Sequence, residues 1–264
     1  MATITSKAID FDPAVNMARQ ALYRFAAVSL VDPRSGSWGQ LRSMREDGLL
    51  PEAAALIRGW PQARPGKLGA GERSVRYLDP TPVLDRLPAS QDALNDEYEN
   101  TFGLVVSSGC PPYETEYINS KFAFQRSNTL ADLCGFYRAF GLAIADRRPE
   151  RPDHVVLELE FMASLLALER QAMDSDSERR KQRLNVCRDA QVRFVKEHLA
   201  WWVPPFAKLL ARANRGGFYQ AVGTFLAALI PAERALLKVD VRARSISPSP
   251  HERPDACEGC QLAT

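Results

Sequence analysis

The chain lacks any apolar stretch long enough to cross a membrane or to direct secretion. None of its uninterrupted apolar runs approaches the roughly 18 residues that a membrane-spanning helix requires. Its first fifteen residues hold two aspartates and no apolar core of signal-peptide length. These absences predict a cytoplasmic protein that makes no stable association with membranes.

Cysteine is also scarce, and its spacing is irregular. The 264 residues include five cysteines, and an odd, unevenly spaced set favours reduced thiols over a disulfide framework. Cys110, Cys134 and Cys187 lie in or beside apolar runs, which predicts that these three thiols are buried.

The other two cysteines form a CxxC pair near the chain end. Cys257 and Cys260 have the spacing of a thiol pair that binds a metal ion or cycles between dithiol and disulfide. A closed zinc site needs four ligands, and this segment adds only His251 to the two thiols. The pair is a candidate metal site, and it leaves open a role as a metal, iron–sulfur or sulfur carrier.

The usual catalytic and nucleotide-binding motifs are absent. The sequence contains no Walker loop, no dinucleotide GxGxxG, no HExxH and no GxSxG. Its 34 basic and 32 acidic residues leave a net charge of +2, which gives no general attraction to nucleic acid. We therefore predict no catalytic residues, no cofactor and no nucleic-acid partner.

What the chain does have is helical periodicity along most of its length. The predicted helices begin at Asp12–Pro13 and continue with Trp38–Met44, Pro51–Trp60, Ser90–Phe102, two helices within Leu130–Met173, Ser177–Trp202, Phe206–Ala213 and Phe218–Ile230. Met17 and Ala93 are predicted to face inward, Pro61–Arg73 to form an exposed loop, and Pro204–Pro205 to break a helix. The fold class is all-α, without strands: one helical-bundle domain over residues 1–240, then a flexible tail over 241–264 that has little to bury.

The stretch from Leu130 to Met173 carries the most specific pattern. In its second helix, apolar residues recur at intervals of four, three and four and line one face. Glu158 falls inside that apolar arc, and His154 lies one turn earlier on roughly the same face. Because a lone buried charge costs several kcal/mol, we expect both groups to be paired, with each other or with backbone.

A second segment, Cys110–Tyr117 (CPPYETEY), lies between two predicted helices. Its prolines should hold the backbone extended, and Tyr113 and Tyr117 should fold back on the core. Two interpretations stay open: a proline-rich turn that packs aromatic rings, or part of a binding surface.

Several of these strings resemble the signature of the TorD/DmsD family of chaperones that assemble molybdenum oxidoreductases. They are Tyr137–Arg138, Phe140–Gly141, the Pro-Tyr-Glu of CPPYETEY, Glu150–Arg151–Pro152–Asp153–His154 and Glu158–Leu159–Glu160–Phe161–Met162. The resemblance covers roughly residues 15 to 230. It implies a TorD/DmsD-type helical fold without catalytic turnover. It also implies binding of a client enzyme's apo catalytic subunit and twin-arginine leader, which aids cofactor insertion and delays export.

The resemblance also implies which residues contact the partner. The candidate partner-binding residues are Tyr113, Glu114, Tyr117, Tyr137, Pro152, Asp153, His154 and Glu158. Among the acidic groups, Glu114, Glu116 and Asp153 are expected to meet the arginine pair. The competing interpretation is structural support of a helix start, and the sequence leaves monomer and dimer equally open.

Overall fold

The computed structural model describes residues 12–103, 109–118, 123–143, 150–175 and 178–240. Within these ranges no residue belongs to a β-strand, which confirms the all-α prediction. The helices are α1 Pro13–Leu30, α2 Ser37–Asp47, α3 Leu49–Gly59, α4 Thr81–Asp85, α5 Gln91–Phe102, α6 Ala123–Ala139, α7 Val155–Met173, α8 Arg180–Phe194, α9 Ala200–Ala213 and α10 Phe218–Leu236. None of these helices is both long and apolar enough to span a membrane.

Helix α1 begins where its sequence predicts. The Asp12 carboxylate accepts the Ala14 N–H at 2.7 Å, and Pro13 occupies the first helical position. The buried side of α1 packs on α7 and α3. Met17 does not share that side, contrary to the prediction, and its side chain is 56% exposed. Met17 is five positions before the buried Leu22, which places it about 140° around the helix from that residue.

Helix α7 is the central element of the core. It packs against α1 on one side and α8 on the other. The four residues at the predicted intervals, Val155, Leu159, Met162 and Leu166, are all fully buried. The helix phase inferred from the sequence is therefore confirmed, and each buried aliphatic side chain of this kind stabilises the fold by about 1.5–3 kcal/mol.

The double proline does not end a helix, contrary to the prediction. Helix α9 runs through Pro204 and Pro205, although a proline in a helix interior costs about 3 kcal/mol through its missing N–H and its ring. Trp202 and Phe206 lie in the same turns and are fully buried. Their packing offsets the backbone cost, so tertiary contacts override the local signal.

The long helix predicted over Ser177–Trp202 is helical from Arg180 onward, but it contains a π-helical turn. Helix α8 ends at Phe194, and a π-helical segment, Val195–Leu199, joins it to α9. One wider turn changes the direction in which the following side chains point. This turn lies at the candidate site described below.

Helices α9 and α10 pack closely because of a glycine. A Cβ atom at Gly223 of α10 would overlap the backbone carbonyl oxygen of Ala207 on α9. Only glycine allows the two backbones to approach this far. Both helices bury most of their facing residues in the same apolar core.

Most of the Pro61–Arg73 segment is exposed, as predicted, but it also contacts the rest of the fold. Ala63 is fully buried, and the Arg73 N–H donates to the Ala227 carbonyl at 2.6 Å. Gly71 has a φ of 85°, and a Cβ there would overlap the Pro204 carbonyl oxygen. This exposed segment is thus held against α9 at Gly71 and against α10 at Arg73.

Helix α5 starts where predicted, and the Ser90 hydroxyl caps it by accepting the Ala93 N–H at 3.2 Å. Leu94 and Phe102 face inward as predicted. Ala93 is exposed, which corrects its prediction, because the first turn of α5 presents only Leu94 to the core. The short helix α4, Thr81–Asp85, was not predicted.

A buried polar network ties four helices together inside the apolar core. The Arg19 guanidinium of α1 forms an ion pair with Glu233 of α10 and donates to Gln191 of α8 at 2.8 Å. Glu169 of α7 accepts from Gln191 at 2.9 Å and from Asn16 at 3.0 Å. All five residues are at most 2% exposed, so the charges depend on one another for solvation.

Candidate functional site

The two signature segments meet as a joint at the start of α7. Tyr113 and His154 form an isolated antiparallel bridge. The Glu114 N–H donates to the Asp153 carbonyl, and the Val155 N–H donates to the Pro112 carbonyl, both at 2.9 Å. The segment that the prolines hold extended therefore satisfies a backbone donor that a helix start leaves free.

His154 itself caps α7. Its Nδ1 accepts the Val156 N–H at 3.2 Å, while its ring contacts Tyr113 edge-on at 5.1 Å between centroids. Burial lowers the pKa of His154 to about 4, so the ring is neutral at neutral pH, as an Nδ1 acceptor must be. Pairing with backbone was one of the two predicted arrangements, and the structure shows this one.

Asp153 is fully buried, and its carboxylate is already paired with the Arg151 guanidinium. Arg151 donates to its carboxylate from Nε at 3.1 Å and from Nη2 at 2.9 Å. Thr115 adds a backbone N–H at 3.0 Å and a hydroxyl at 2.7 Å. A leader arginine would have to displace Arg151 of the chain itself to reach the Asp153 carboxylate.

Glu158 is buried as predicted, but it does not pair with His154. Its Oε2 accepts the indole N–H of Trp202 at 3.0 Å, and the other oxygen has no donor among the described residues. Burial raises the pKa of Glu158 well above its ordinary range, and the charge of Glu114 raises it further. A proton on Glu158 supplies the donor for the hydrogen bond between the two carboxyl groups.

Glu114 lies at the centre of this network and is 1% exposed. It accepts the Trp201 indole N–H at 2.8 Å through Oε1, and His198 Nδ1 lies 2.9 Å from Oε2. Burial raises its pKa, although the His198 hydrogen bond opposes the shift. Glu114 therefore cannot reach a partner's arginine without breaking two internal hydrogen bonds.

The sequence reasoning missed His198, Trp201 and Trp202. These residues stand at i, i+3 and i+4, the spacing of one helix face, and that spacing was the available signal. The neighbouring Trp–Pro–Pro pattern suggested a helix break instead. Trp201 and Trp202 point about 100° apart on α9, which is why they reach two different glutamates.

The tyrosines divide between surface and core. Tyr113 is half-buried, donates to Glu150 at 3.2 Å and lies under the Arg151 guanidinium at 4.2 Å. Tyr117 is buried and donates to the Pro111 carbonyl, while Tyr137 donates to the Pro152 carbonyl at 2.8 Å. Of the eight candidate residues, only Tyr113 and Pro152 are partly exposed; Glu114, Tyr117, Tyr137, Asp153, His154 and Glu158 are buried.

A small surface cavity of about 120 Å³ lies next to the joint, between the end of α6 and the first half of α7. Its lining is Tyr137, Leu142, Ala143, Leu157, Glu160, Phe161 and Ser164. Glu160 is exposed and forms no ion pair within the described residues. Partial desolvation by its neighbours raises the pKa of Glu160, and the positive charge of Arg24 opposes that shift. An apolar cavity beside an unpaired carboxylate can accept an apolar side chain next to a cation.

The sequence profile of the nitrate reductase delta subunit family matches residues 76–208. The chain belongs to this TorD-like family of molybdoenzyme chaperones. The match begins shortly before α4 and ends within α9, so it contains the joint, both tryptophans and His198. The resemblance stated from the signature strings is thereby confirmed.

Individual relatives carry chaperone names. The chain is 27% identical over 158 residues to the chaperone protein TorD of Photobacterium profundum, covering 59% of this chain and 70% of that protein. It is 33% identical over 112 residues to a selenate reductase assembly chaperone of Thauera selenatis, covering 42% and 54%. A chlorate reductase assembly chaperone of Ideonella dechloratans is 34% identical with the same coverage. No solved structure matches the chain significantly.

The cysteines of this TorD-like chain fall into two groups. Cys110 and Cys187 are buried as predicted, and burial raises the pKa of Cys187 to about 11. Cys134 is only half-buried. Cys257 and Cys260, with the whole predicted tail, lie outside the described residues and outside the matched range.

Proposed function

We propose that the protein is a cytoplasmic chaperone that binds the apo catalytic subunit of a molybdopterin oxidoreductase together with its twin-arginine leader. Binding would aid cofactor insertion and delay export. The assembly-chaperone names of its relatives support a role in molybdoenzyme maturation. The observation that carries the leader-binding part is the cavity with Glu160 beside the signature joint.

In this proposal the leader's apolar side chains enter the cavity between α6 and α7. Leu157 and Phe161 supply its apolar wall, and Glu160 stands at its edge. An arginine is well suited to Glu160, because a partly desolvated carboxylate gains a charge-assisted hydrogen bond and an ion pair at once. The role expected of Glu114 and Asp153 thus passes to an accessible acidic residue.

The buried members of the candidate set have a supporting role in this proposal. Asp153, His154 and Glu158 fix the start of α7, and Tyr137 fixes α6 to it through the Pro152 carbonyl. The cavity needs both helices held at one separation, since it lies between them. The signature then specifies the geometry of the binding surface more than its direct contacts.

A longer groove between α6 and α8 suits the apo subunit itself. Its two adjoining hollows, of about 340 and 490 Å³, share Ala139, Phe140 and Val186 as common lining. Val186 is 51% exposed and lies where the two hollows meet, so a partner docked in the groove would cover it. A subunit that lacks its cofactor exposes apolar surface, and this groove would cover part of it.

Calorimetric titration tests the leader proposal. The ligand is a synthetic peptide in which an Arg-Arg pair precedes an apolar stretch of roughly ten residues. We expect binding with a negative heat-capacity change, since apolar surface is buried. Glu160→Gln should weaken binding by about 5-fold, the equivalent of ~1 kcal/mol, and a Lys-Lys peptide should show a similar loss. Glu52→Gln, at an exposed glutamate of α3, is the matched control.

A pull-down from the native cytoplasm, read by mass spectrometry, tests the client proposal. We expect the catalytic subunit of a molybdopterin oxidoreductase, in its cofactor-free form, to co-purify with the wild type. Val186→Glu should reduce this capture without changing peptide binding, if the groove contacts the subunit body. If neither the peptide nor any such subunit binds, the proposed function is wrong.

A further inference from the structure

Three side chains outside the joint converge on one point of the surface. Asp132 of α6 and Glu197 and His198 of the π-helical segment offer ligand atoms that all lie within 4.8 Å of one another. His198 Nε2 is 3.3 Å from Asp132 Oδ2. The carboxylates of Asp132 and Glu197 are 50% and 40% exposed, whereas the His198 imidazole is 3% exposed. Solvent therefore reaches the two carboxylates, and the imidazole lies beneath them.

The second ring nitrogen of His198 is held by a buried carboxylate outside this group. His198 Nδ1 lies 2.9 Å from Glu114 Oε2, and Glu114 is itself fixed by Trp201. With the Nδ1 proton donated to Glu114, the Nε2 lone pair of a neutral ring points at Asp132. A carboxylate that orients histidine in this way is the usual outer support of a metal-binding imidazole.

This arrangement is incomplete without a positive charge. In the neutral ring, Nε2 and the Asp132 oxygen are both acceptors at 3.3 Å and repel each other. Either a second proton on His198 or a cation between the two atoms removes the repulsion. The only ion pair of Glu197 within the described residues is an exposed contact with Arg193 at 3.5 Å, which is too weak to exclude a competing cation.

The backbone supplies an independent indication. Glu197 and His198 both lie in the π-helical segment Val195–Leu199. Such turns are rare within α-helices and occur frequently at functional sites. Here the wider turn presents His198 to Glu114 on the inside and Glu197 to solvent on the outside.

We infer that Asp132, Glu197 and His198 form a binding site for a divalent transition-metal ion. One imidazole and two carboxylates suit borderline ions such as Zn²⁺ or Co²⁺, with water completing the coordination. The ion would join α6 to the segment between α8 and α9. Because Tyr137 of α6 also lines the cavity next to the joint, metal occupancy would steady one wall of that cavity.

The test is metal titration of the full chain in a Cys257→Ser, Cys260→Ser background, which removes the other candidate ligands. We expect one Zn²⁺ per chain by calorimetry at pH 7.5 and a metal-dependent rise in the melting temperature. Asp132→Asn and Glu197→Gln should each weaken Zn²⁺ at least 10-fold. Asp189→Asn removes an exposed carboxylate of the adjoining hollow that is not a ligand, and should leave Zn²⁺ affinity unchanged.

Co²⁺ provides a second measurement that does not depend on stability. Its visible spectrum should indicate nitrogen and oxygen ligands, without the intense thiolate band that a cysteine site would give. Both carboxylate variants change exposed side chains, so their metal-free melting curves should match that of the background protein. No Zn²⁺ uptake in this background, or uptake that Asp132→Asn leaves intact, would overturn the inference and assign the Nε2 position to a proton.

Discussion

Replacing Glu158 by Gln or by Ala tests whether the buried carboxyl group is protonated or charged. Glu158 accepts from Trp202 and shares a hydrogen bond with Glu114, and its folded-state pKa is raised well above the ordinary value because it is buried. In its neutral form it resembles Gln, whose carbonyl can accept from Trp202 while its amide donates to Glu114. Glu158→Gln should therefore change stability by less than about 1 kcal/mol near pH 5.

Glu158→Ala removes both hydrogen bonds and leaves a void. The Trp202 indole N–H would remain buried without an acceptor, which costs about 1–3 kcal/mol, and the lost side-chain packing adds to this. We expect a total near 3 kcal/mol, or a melting temperature lower by roughly 6–12 °C in a chain of this size. Urea denaturation followed by tryptophan fluorescence measures both variants, with Glu52→Gln as an exposed control.

The pH dependence gives the sharper result. Since the folded pKa is raised, the native state keeps a proton that the unfolded chain releases near pH ~4.3, and wild-type stability from this group falls as pH rises above that value. Gln does not titrate, so the variant should gain on the wild type by about 1.4 kcal/mol for each pH unit until Glu158 ionises. A Gln variant as unstable as Ala at pH 5, or a difference that ignores pH, would refute a protonated Glu158.

Three further predictions concern α7, the buried ion pair and the tail. His154→Ala should cost about 1 kcal/mol, because it removes the helix cap, and His154→Asn should keep most of the capping stabilisation in a thermal melt. Because the folded pKa of His154 is lowered to about 4, the wild type should also lose stability as the pH falls from 6.5 to 4, and His154→Asn should remove that loss. Arg19→Met should cost about 3–5 kcal/mol in urea denaturation, because it leaves Glu233 unpaired, and adding Glu233→Leu should recover much of this loss. A double variant whose cost equals the sum of the two single-variant costs would show that the pair is not coupled. Deleting residues 241–264 should leave the melting temperature and leader binding unchanged, as such a polar segment contributes little to a core; a drop in client maturation alone would revive the thiol-carrier alternative.

Some features of this protein follow from the sequence alone because they depend on local chemistry. The start of α1 is set by an aspartate cap and a proline within three residues. The phase of α7 is set by apolar spacing, and that spacing correctly places Glu158 inside the core. The order of the signature strings also indicates the family, and the profile match over residues 76–208 confirms it.

Other features were decided only when distant segments met. The partner of Glu158 is Trp202, 44 positions away, and no periodicity within α7 could identify it. The continuation of α9 through Pro204 depends on how much of Trp202 and Phe206 the core buries, a quantity that the local sequence does not contain. Met17 is a further example on the surface, since its apolar character does not reveal whether another helix covers it.

The candidate site shows most clearly which properties the sequence predicts and which depend on the tertiary structure. Sequence identified the acidic and aromatic residues near the start of α7, because they form recognisable strings. It could not distinguish carboxylates that are already neutralised, such as Asp153, from one that is accessible, such as Glu160, since that depends on which cation the fold brings near. Charge and burial are properties of the assembled structure, and three-dimensional packing alone determined which of these groups remain available to a partner or a metal ion.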